Sequence, residues 1–160
     1  MTPLLILLSL LSLSANLTDD KKDPPALKLS DDEKTILDLT NAERAMEKLP
    51  PLVPNALLFQ AARDHTANMA KKGEMKHVLD GKDVVARLDD VKYDFRKCGE
   101  NIAMSDGASL KEIMKNWMES KGHRENILDP AFTEIGIGTA RNDKGELYYT
   151  QEFGVAFEKP

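Results

Sequence analysis

The sequence predicts an α+β fold in which helices cover a small, mainly antiparallel sheet. Segments with the apolar spacing of helices come first, and a strand, a further helix and a β-hairpin follow. No internal repeat is present, and this segregation of helices and strands is typical of α+β proteins. A length of 160 residues with 41% hydrophobic side chains is sufficient for one domain with its own core.

The first 29 residues predict an export signal and a linker. Residues 3–13 are apolar but too short to span a bilayer, which takes about 20 residues. The small residues Ser12, Ser14 and Ala15 follow, so we predict a signal peptide over residues 1–15, cleaved near Ser14–Ala15. The alternatives are an uncleaved anchor and a misassigned start, because no Lys or Arg precedes the apolar run. Residues 16–29 are polar and indicate a flexible linker before a domain at 30–158.

Two helices open the domain. Ser30 and Glu33 form a capping box at the start of the first helix, which Pro50-Pro51 ends before an extended connection. Asn55 is the expected cap of the second helix, and Gly73 its end. His65 lies in the apolar stripe of the second helix, so we expect a hydrogen-bonded core histidine there.

A short helix and a strand occupy the middle of the chain. The apolar side chains within residues 83–90 predict the helix, and the alternation over residues 93–104 predicts the strand, which carries Glu100. Asp106-Gly107 is a turn signal. A second capping box, Ser109 to Glu112, then opens a long amphipathic helix.

The end of that amphipathic helix leads to a histidine. We expect Gly122 to break the helix, which would place His123 on a helix-to-loop corner. The last segment predicts a β-hairpin with its turn at residues 142–145. Gly136 and Gly138 alternate with apolar residues in its first strand, which indicates a bulky partner packed closely over that face.

Charge and cysteine content exclude some functions. The net charge is −5 and no basic stripe is present, which argues against a nucleic-acid partner. Cys98 is the only cysteine, so the chain has no intrachain disulfide, and we expect a structural thiol rather than a nucleophile. We expect the protein to be a monomer.

Two histidines and a glutamate are the groups most suited to chemistry. His77 and His123 adjoin turns, and Glu100 is expected to be half-buried on a strand. Such groups can bind Zn²⁺, or the glutamate can orient one histidine as a base. A third interpretation is a polar network that joins the sheet to the helices. None of the common zinc-protease, serine-hydrolase or phosphate-loop motifs occurs.

An ordered set of motifs resembles one family. The motifs are Asn-Ala-Glu-Arg at 41–44, the helix segment 61–70, His77 with Asp80-Gly81, Gly-Glu-Asn-Ile-Ala at 99–103, the segment 117–128, and Tyr-Tyr-Thr-Gln-Glu-Phe-Gly at 148–154. In this order they resemble a bacterial CAP (SCP-like) domain. This superfamily contains the cysteine-rich secretory proteins, antigen 5 and pathogenesis-related 1 proteins. The resemblance covers about residues 33 to 156.

The resemblance implies an α-β-α sandwich with a cleft of two histidines and two acidic residues, which binds zinc or another divalent cation in some members. Carried over to this chain, the first histidine is His77, the first glutamate Glu100 and the second histidine His123. The second glutamate position holds Ser120, so the acidic pair is incomplete. We therefore expect a ligand cleft of His77, Glu100, His123, Ser120 and Gln151, with His77 and His123 as the metal ligands.

The expected function is a secreted, non-enzymatic binding module. Its ligand would be a divalent metal, a small molecule, a lipid or an extracellular protein. The first alternative is a metal-dependent hydrolase that uses the same cleft, with Ser120 or Gln151 contributing to catalysis. The second alternative is that His77, Glu100 and His123 are purely structural.

Overall fold

The computed structural model describes residues 27–157. The predicted signal peptide and most of the predicted linker lie outside these residues. No helix within 27–157 is long and apolar enough to cross a membrane. The helices are α1 (Asp31–Met46), α2 (Ala56–Lys72), α3 (Val84–Asp90), α4 (Leu110–Glu119) and α5 (Lys121–Ile127), and the strands are β1 (Val53–Pro54), β2 (Phe95–Ser105), β3 (Glu134–Arg141) and β4 (Leu147–Ala156).

The strands form one sheet in the order β1-β3-β4-β2. β3 pairs antiparallel with β4, β4 pairs antiparallel with β2, and the short β1 pairs parallel with β3. The predicted α+β class with a mainly antiparallel sheet is confirmed. β1 was expected only as an extended connection, because two residues carry no alternation that would reveal a strand.

One face of the sheet packs closely against α2. A Cβ atom on Gly136 would lie 2.0 Å from the backbone carbon of Leu58. On Gly138 it would lie 2.4 Å from the carbonyl oxygen of Ala62. No side chain fits between the helix backbone and the strand at these positions, so glycine is required. The predicted close partner over the two glycines is therefore confirmed, and it is the backbone of a helix.

The other face packs against α1, α4 and α5 and forms the main apolar core. Trp117 is 2% exposed, and its indole N–H donates to the Ile102 carbonyl at 3.1 Å, which fixes α4 against β2. Residues on this face of the strands include Ile135, Ile137 and Phe153, all fully buried. Helices therefore cover both faces of the sheet in a three-layer sandwich.

The helix ends agree with the sequence except at one position. Both capping boxes are formed, Asn55 caps α2, and Gly73 ends α2 in the left-handed conformation with φ 66°. The predicted break at Gly122 is wrong, because Gly122 lies inside α5. The chain turns instead at Ser120, whose extended φ −90° and ψ 120° end α4 and begin α5. Any residue adopts this conformation, so no glycine is needed there.

Candidate functional site

Four buried polar side chains from four different elements meet on the α2 side of the sheet. Glu100 on β2 and Glu152 on β4 are direct cross-strand partners. His65 comes from α2 and Arg87 from α3, and all four residues are at most 8% exposed. We refer to these four residues, together with His77, as the Arg87 cluster. Burial of so many ionisable groups costs free energy, which the cluster offsets through its internal pairs.

The Glu100 carboxylate has a partner for each oxygen. Its Oε1 accepts a hydrogen bond from Nδ1 of His77 at 2.7 Å, and its Oε2 forms an ion pair with Nη2 of Arg87. Burial raises the pKa of Glu100, but the His77 hydrogen bond and the charge of Arg87 outweigh that effect and lower it. Glu100 is therefore ionised, and its negative charge interacts with His77 and Arg87.

Arg87 joins this carboxylate to the loop that carries His77. Its Nη1 donates to the carbonyl oxygens of His77 and Lys82, each at 3.0 Å. Its Nε lies 3.5 Å from Oε1 of Glu152, too far for a good hydrogen bond but within ion-pair distance. One guanidinium thus holds the backbone of the loop and both carboxyl groups.

Glu152 is the least solvated acid of the cluster. Its side chain is fully buried, and neither oxygen has a hydrogen-bond partner within the described residues. Burial and the nearby negative charge of Glu100 raise the pKa of Glu152 well above its ordinary value. These surroundings favour the neutral form of Glu152, whereas Glu100 is the carboxylate that pairs with the positive charge of Arg87.

His65 is buried, as its place in the apolar stripe predicts, and it contacts the cluster. Its Nε2 has no hydrogen-bond partner in the described part of the chain and lies 3.6 Å from Oε2 of Glu100. Burial lowers the pKa of His65, so the ring is neutral.

The two remaining histidines are less buried than His65: His77, which belongs to the cluster, and His123 on α5. The His77 side chain is 55% exposed, and its hydrogen bond to Glu100 raises its pKa. His123 is half-buried on α5, where burial and the positive charge of His77 lower its pKa. Ser120 is half-buried at the α4–α5 corner, three residues before His123 in the chain.

Gln151 does not lie with Glu100, contrary to the prediction. It is the cross-strand partner of Asn101, so its side chain points to the opposite face of the sheet. It is fully buried there, accepting from Asn101 at 3.0 Å and donating to Thr40 at 2.8 Å. Alternation along β4 places Glu152, not Gln151, beside Glu100.

Cys98 is half-buried, and its free thiol is not activated. Burial raises its pKa to about 11, and nearby acids including Glu152 add to the effect. The thiolate is therefore scarce at neutral pH. The structure thus agrees with the expected structural thiol.

The residues present do not fit the metal that the resemblance implies. Within residues 27–157, no three His, Cys, Asp or Glu side chains are arranged to hold a metal ion. Glu100 could bind a metal ion only if its ion pair with Arg87 were broken. Ser120 supplies no carboxylate. His77 and His123 remain as two imidazoles, fewer than the three protein ligands of typical catalytic zinc sites.

Sequence reasoning missed Arg87 and Glu152. Arg87 lies in a short helix that was recognised only by its apolar side chains. Glu152 lies within a quoted motif, but the alternation of β4 was read for one face alone. The sequence of β4 could have revealed Glu152. In this strand, buried apolar residues both precede and follow the polar residues. A strand buried on both faces places such acids in the interior.

The sandwich and the His/Glu cluster at the β2 side of the sheet define a CAP-like domain, and comparison with known proteins agrees. The model of the cysteine-rich secretory protein family, CAP, matches residues 37–153. The chain therefore belongs to the CAP family.

Two relatives from Bacillus species are similar to part of their own length. The chain is 36% identical over 124 residues to the uncharacterized protein YkwD of Bacillus subtilis (strain 168), and the match covers 76% of this chain and 46% of YkwD. A solved extracellular protein containing a SCP domain from Bacillus anthracis str. Ames shares 30% identity and a TM-score of 0.69, over 77% of this chain and 40% of that one. The chain spans less than half the length of these two relatives.

One further structure is similar over nearly its full length. An outer surface protein from Borrelia burgdorferi has a TM-score of 0.73 and 20% identity, over 82% of this chain and 97% of that one. At this identity the likeness shows the fold alone.

Proposed function

We propose that this chain is a secreted CAP-domain binding module that is not an enzyme. Its ligand would bind on the surface around His77 and His123. The observation that carries the proposal is the commitment of Glu100 to Arg87 and His77. A hydrolase would need a free carboxylate or a metal-activated water at this place. Export is supported by the apolar run at residues 3–13 and by the extracellular B. anthracis relative.

The chemistry of this surface favours an amphipathic ligand. Met75 and Val78 flank His77 in the loop and are 47% and 56% exposed, and Val85 on the neighbouring α3 is 43% exposed. Apolar side chains exposed together are typical of interaction sites. The His77 imidazole, held by Glu100, offers a polar contact at the same place. A small lipid or fatty acid carries both an apolar chain and a polar head, so it fits this combination.

The test is a titration with dodecanoate below its micelle concentration, followed by NMR amide shifts. We expect saturable amide shifts at residues 75–78 and on α3. The binding affinity obtained from these shifts should fall several-fold in Val78→Asp. Val53→Asp is the matched control, because Val53 is 58% exposed on the opposite edge strand, β1. The proposal fails if no saturable shifts occur there, or if both variants behave alike.

A divalent metal is a second ligand class for the same surface, with the imidazoles of His77 and His123 as its ligands. Calorimetry with Zn²⁺ on the wild type, His77→Ala and His123→Ala tests it. We expect weak binding that either substitution removes, because imidazole nitrogens suit zinc. Identical titration curves for all three proteins would end the idea.

The hydrolase alternative has its own experiment. Broad peptidase and esterase screening of the purified protein should find no turnover. Turnover that vanishes in Glu100→Ala would replace the binding proposal with the hydrolase. Turnover that persists in Glu100→Ala would point to a contaminant.

A further inference from the structure

The Arg87 cluster contains the donor groups of a divalent metal site without forming one. Two imidazoles, His65 and His77, and two carboxyl groups, Glu100 and Glu152, lie on one side of the sheet. Nitrogen and carboxylate oxygen are the ligands of zinc and similar metals. His65 offers a ligand nitrogen, because its buried Nε2 has no hydrogen-bond partner within residues 27–157.

Within residues 27–157, the buried side-chain atoms that lack a hydrogen-bond partner are concentrated in the Arg87 cluster. Within the described residues, the buried side-chain atoms that lack a hydrogen bond are Nε2 of His65, Nε of Arg87 and both oxygens of Glu152. Buried polar atoms normally find partners, so their gathering in one cluster requires an explanation. One of these atoms belongs to the guanidinium of Arg87, which is in ion-pair contact with both carboxyl groups.

We propose that the guanidinium of Arg87 takes the place of a divalent cation among His65, His77, Glu100 and Glu152. A guanidinium carries one positive charge and a divalent metal carries two. One charge balances ionised Glu100 and leaves Glu152 neutral, as the burial and surroundings of Glu152 also favour. The proposal goes beyond the proposed function, because Arg87, His65, Glu100 and Glu152 are buried whether or not the surface around His77 binds a ligand.

Removing Arg87 should therefore create a metal site. We expect Arg87→Met to have a lowered Tm in EDTA that rises by about 5 °C or more with Zn²⁺, because a ligand that binds only the folded state stabilises it. Zinc affinity should increase by about 100-fold over the wild type as the donors become available. All proteins carry His123→Ala, which removes the surface imidazole as a competing ligand.

Three further variants make the test specific. Arg87→Lys keeps a cation in the cluster and should gain no zinc binding. Arg87→Met with His65→Gln should lose the gain, because the unpartnered Nε2 is gone. Arg44→Met is the matched control, since Arg44 is an equally buried arginine that contacts carbonyl oxygens instead of carboxylates. It should be destabilised with no rescue by zinc.

Two results would overturn the proposal. One is zinc affinity in Arg87→Met no higher than in Arg87→Lys, measured by calorimetry or by refolding with and without Zn²⁺ if the apo protein does not fold. The other result concerns the protein with Arg87 intact. If its Tm falls on EDTA treatment and recovers with zinc, the cluster holds a metal ion and Arg87 at the same time. An unchanged Tm supports the proposal.

Discussion

Two buried arginines on opposite sides of the sheet have different kinds of partner. Arg44 on α1 is 0% exposed, and within residues 27–157 it donates only to four backbone carbonyl oxygens, those of Pro50, Ile127, Asp129 and Phe132. Arg87 on α3 is 7% exposed and contacts two carbonyl oxygens and two carboxyl groups.

The difference separates a structural role from a chemical one. Carbonyl oxygens do not titrate, so Arg44 fixes the loops around it to α1 at any ordinary pH. Carboxyl groups can take up protons or bind cations, so the surroundings of Arg87 respond to the solution. Burial alone therefore does not identify a functional arginine; the chemistry of its partners does.

Arg44→Met should have the largest effect on stability. It leaves four carbonyl oxygens without their donor, and each unsatisfied buried group is costly, so we expect a loss of about 4 kcal/mol in the free energy of unfolding. Urea denaturation measures it. The loss should be similar at pH 7 and in mild acid, and a strong pH dependence would contradict the structural role.

Arg87→Met should cost less, about 3 kcal/mol at pH 7, because it leaves a buried carboxylate without its cation. The folded-state pKa of Glu100 is lowered, so its stabilising contribution is present above the unfolded pKa and is lost as pH falls through the folded one. The difference between wild type and variant should therefore shrink in acid. Urea denaturation at a series of pH values checks this, and a constant difference would contradict it.

Glu152→Gln should be close to neutral, or stabilising by about 1 kcal/mol at pH 7, since it mimics the uncharged form that burial of Glu152 favours. The raised folded-state pKa means that wild-type stability is lost as pH rises above the unfolded value. The free energy of unfolding of the variant should therefore increase relative to that of the wild type as the pH rises from acid to neutral. Urea denaturation at both pH values measures this difference. Glu100→Gln is the control, since it removes an ionised group and should destabilise at pH 7.

His77→Gln should have the smallest effect, below about 1 kcal/mol, because solvent screens a side chain that is more than half exposed. The folded-state pKa of His77 is raised, so its contribution is fully present below the unfolded pKa and is lost as pH rises through the folded one. Thermal melts at pH 5.5 and 8.5 should show a difference only at the lower pH. A large loss at both would make His77 a structural residue.

Much of the fold was predictable because its signals are local. Capping boxes at Ser30 and Ser109, the Asn55 cap and the left-handed Gly73 depend on neighbours within a few residues. The hairpin and the close packing over Gly136 also follow from short patterns. The end of α4 was misplaced, because the extended Ser120 has no distinctive sequence requirement.

The site was only partly predictable. Glu100 and His77 were recognised, but their partners were not, since no local rule pairs a residue of α3 with strands β2 and β4. Gln151 was expected in the ligand cleft with Glu100, although it lies on the opposite face of β4, because a strand buried on both sides has polar residues on both faces.

The sequence by itself determined the family, the order of the elements and most of their ends, because each follows from short-range chemistry. The tertiary structure alone decided how the charges are paired. Antiparallel register places Glu100 opposite Glu152, and the packing of α3 inserts Arg87 between them. These contacts join residues that are far apart in the chain, and in a buried setting each partner sets the charge of the others.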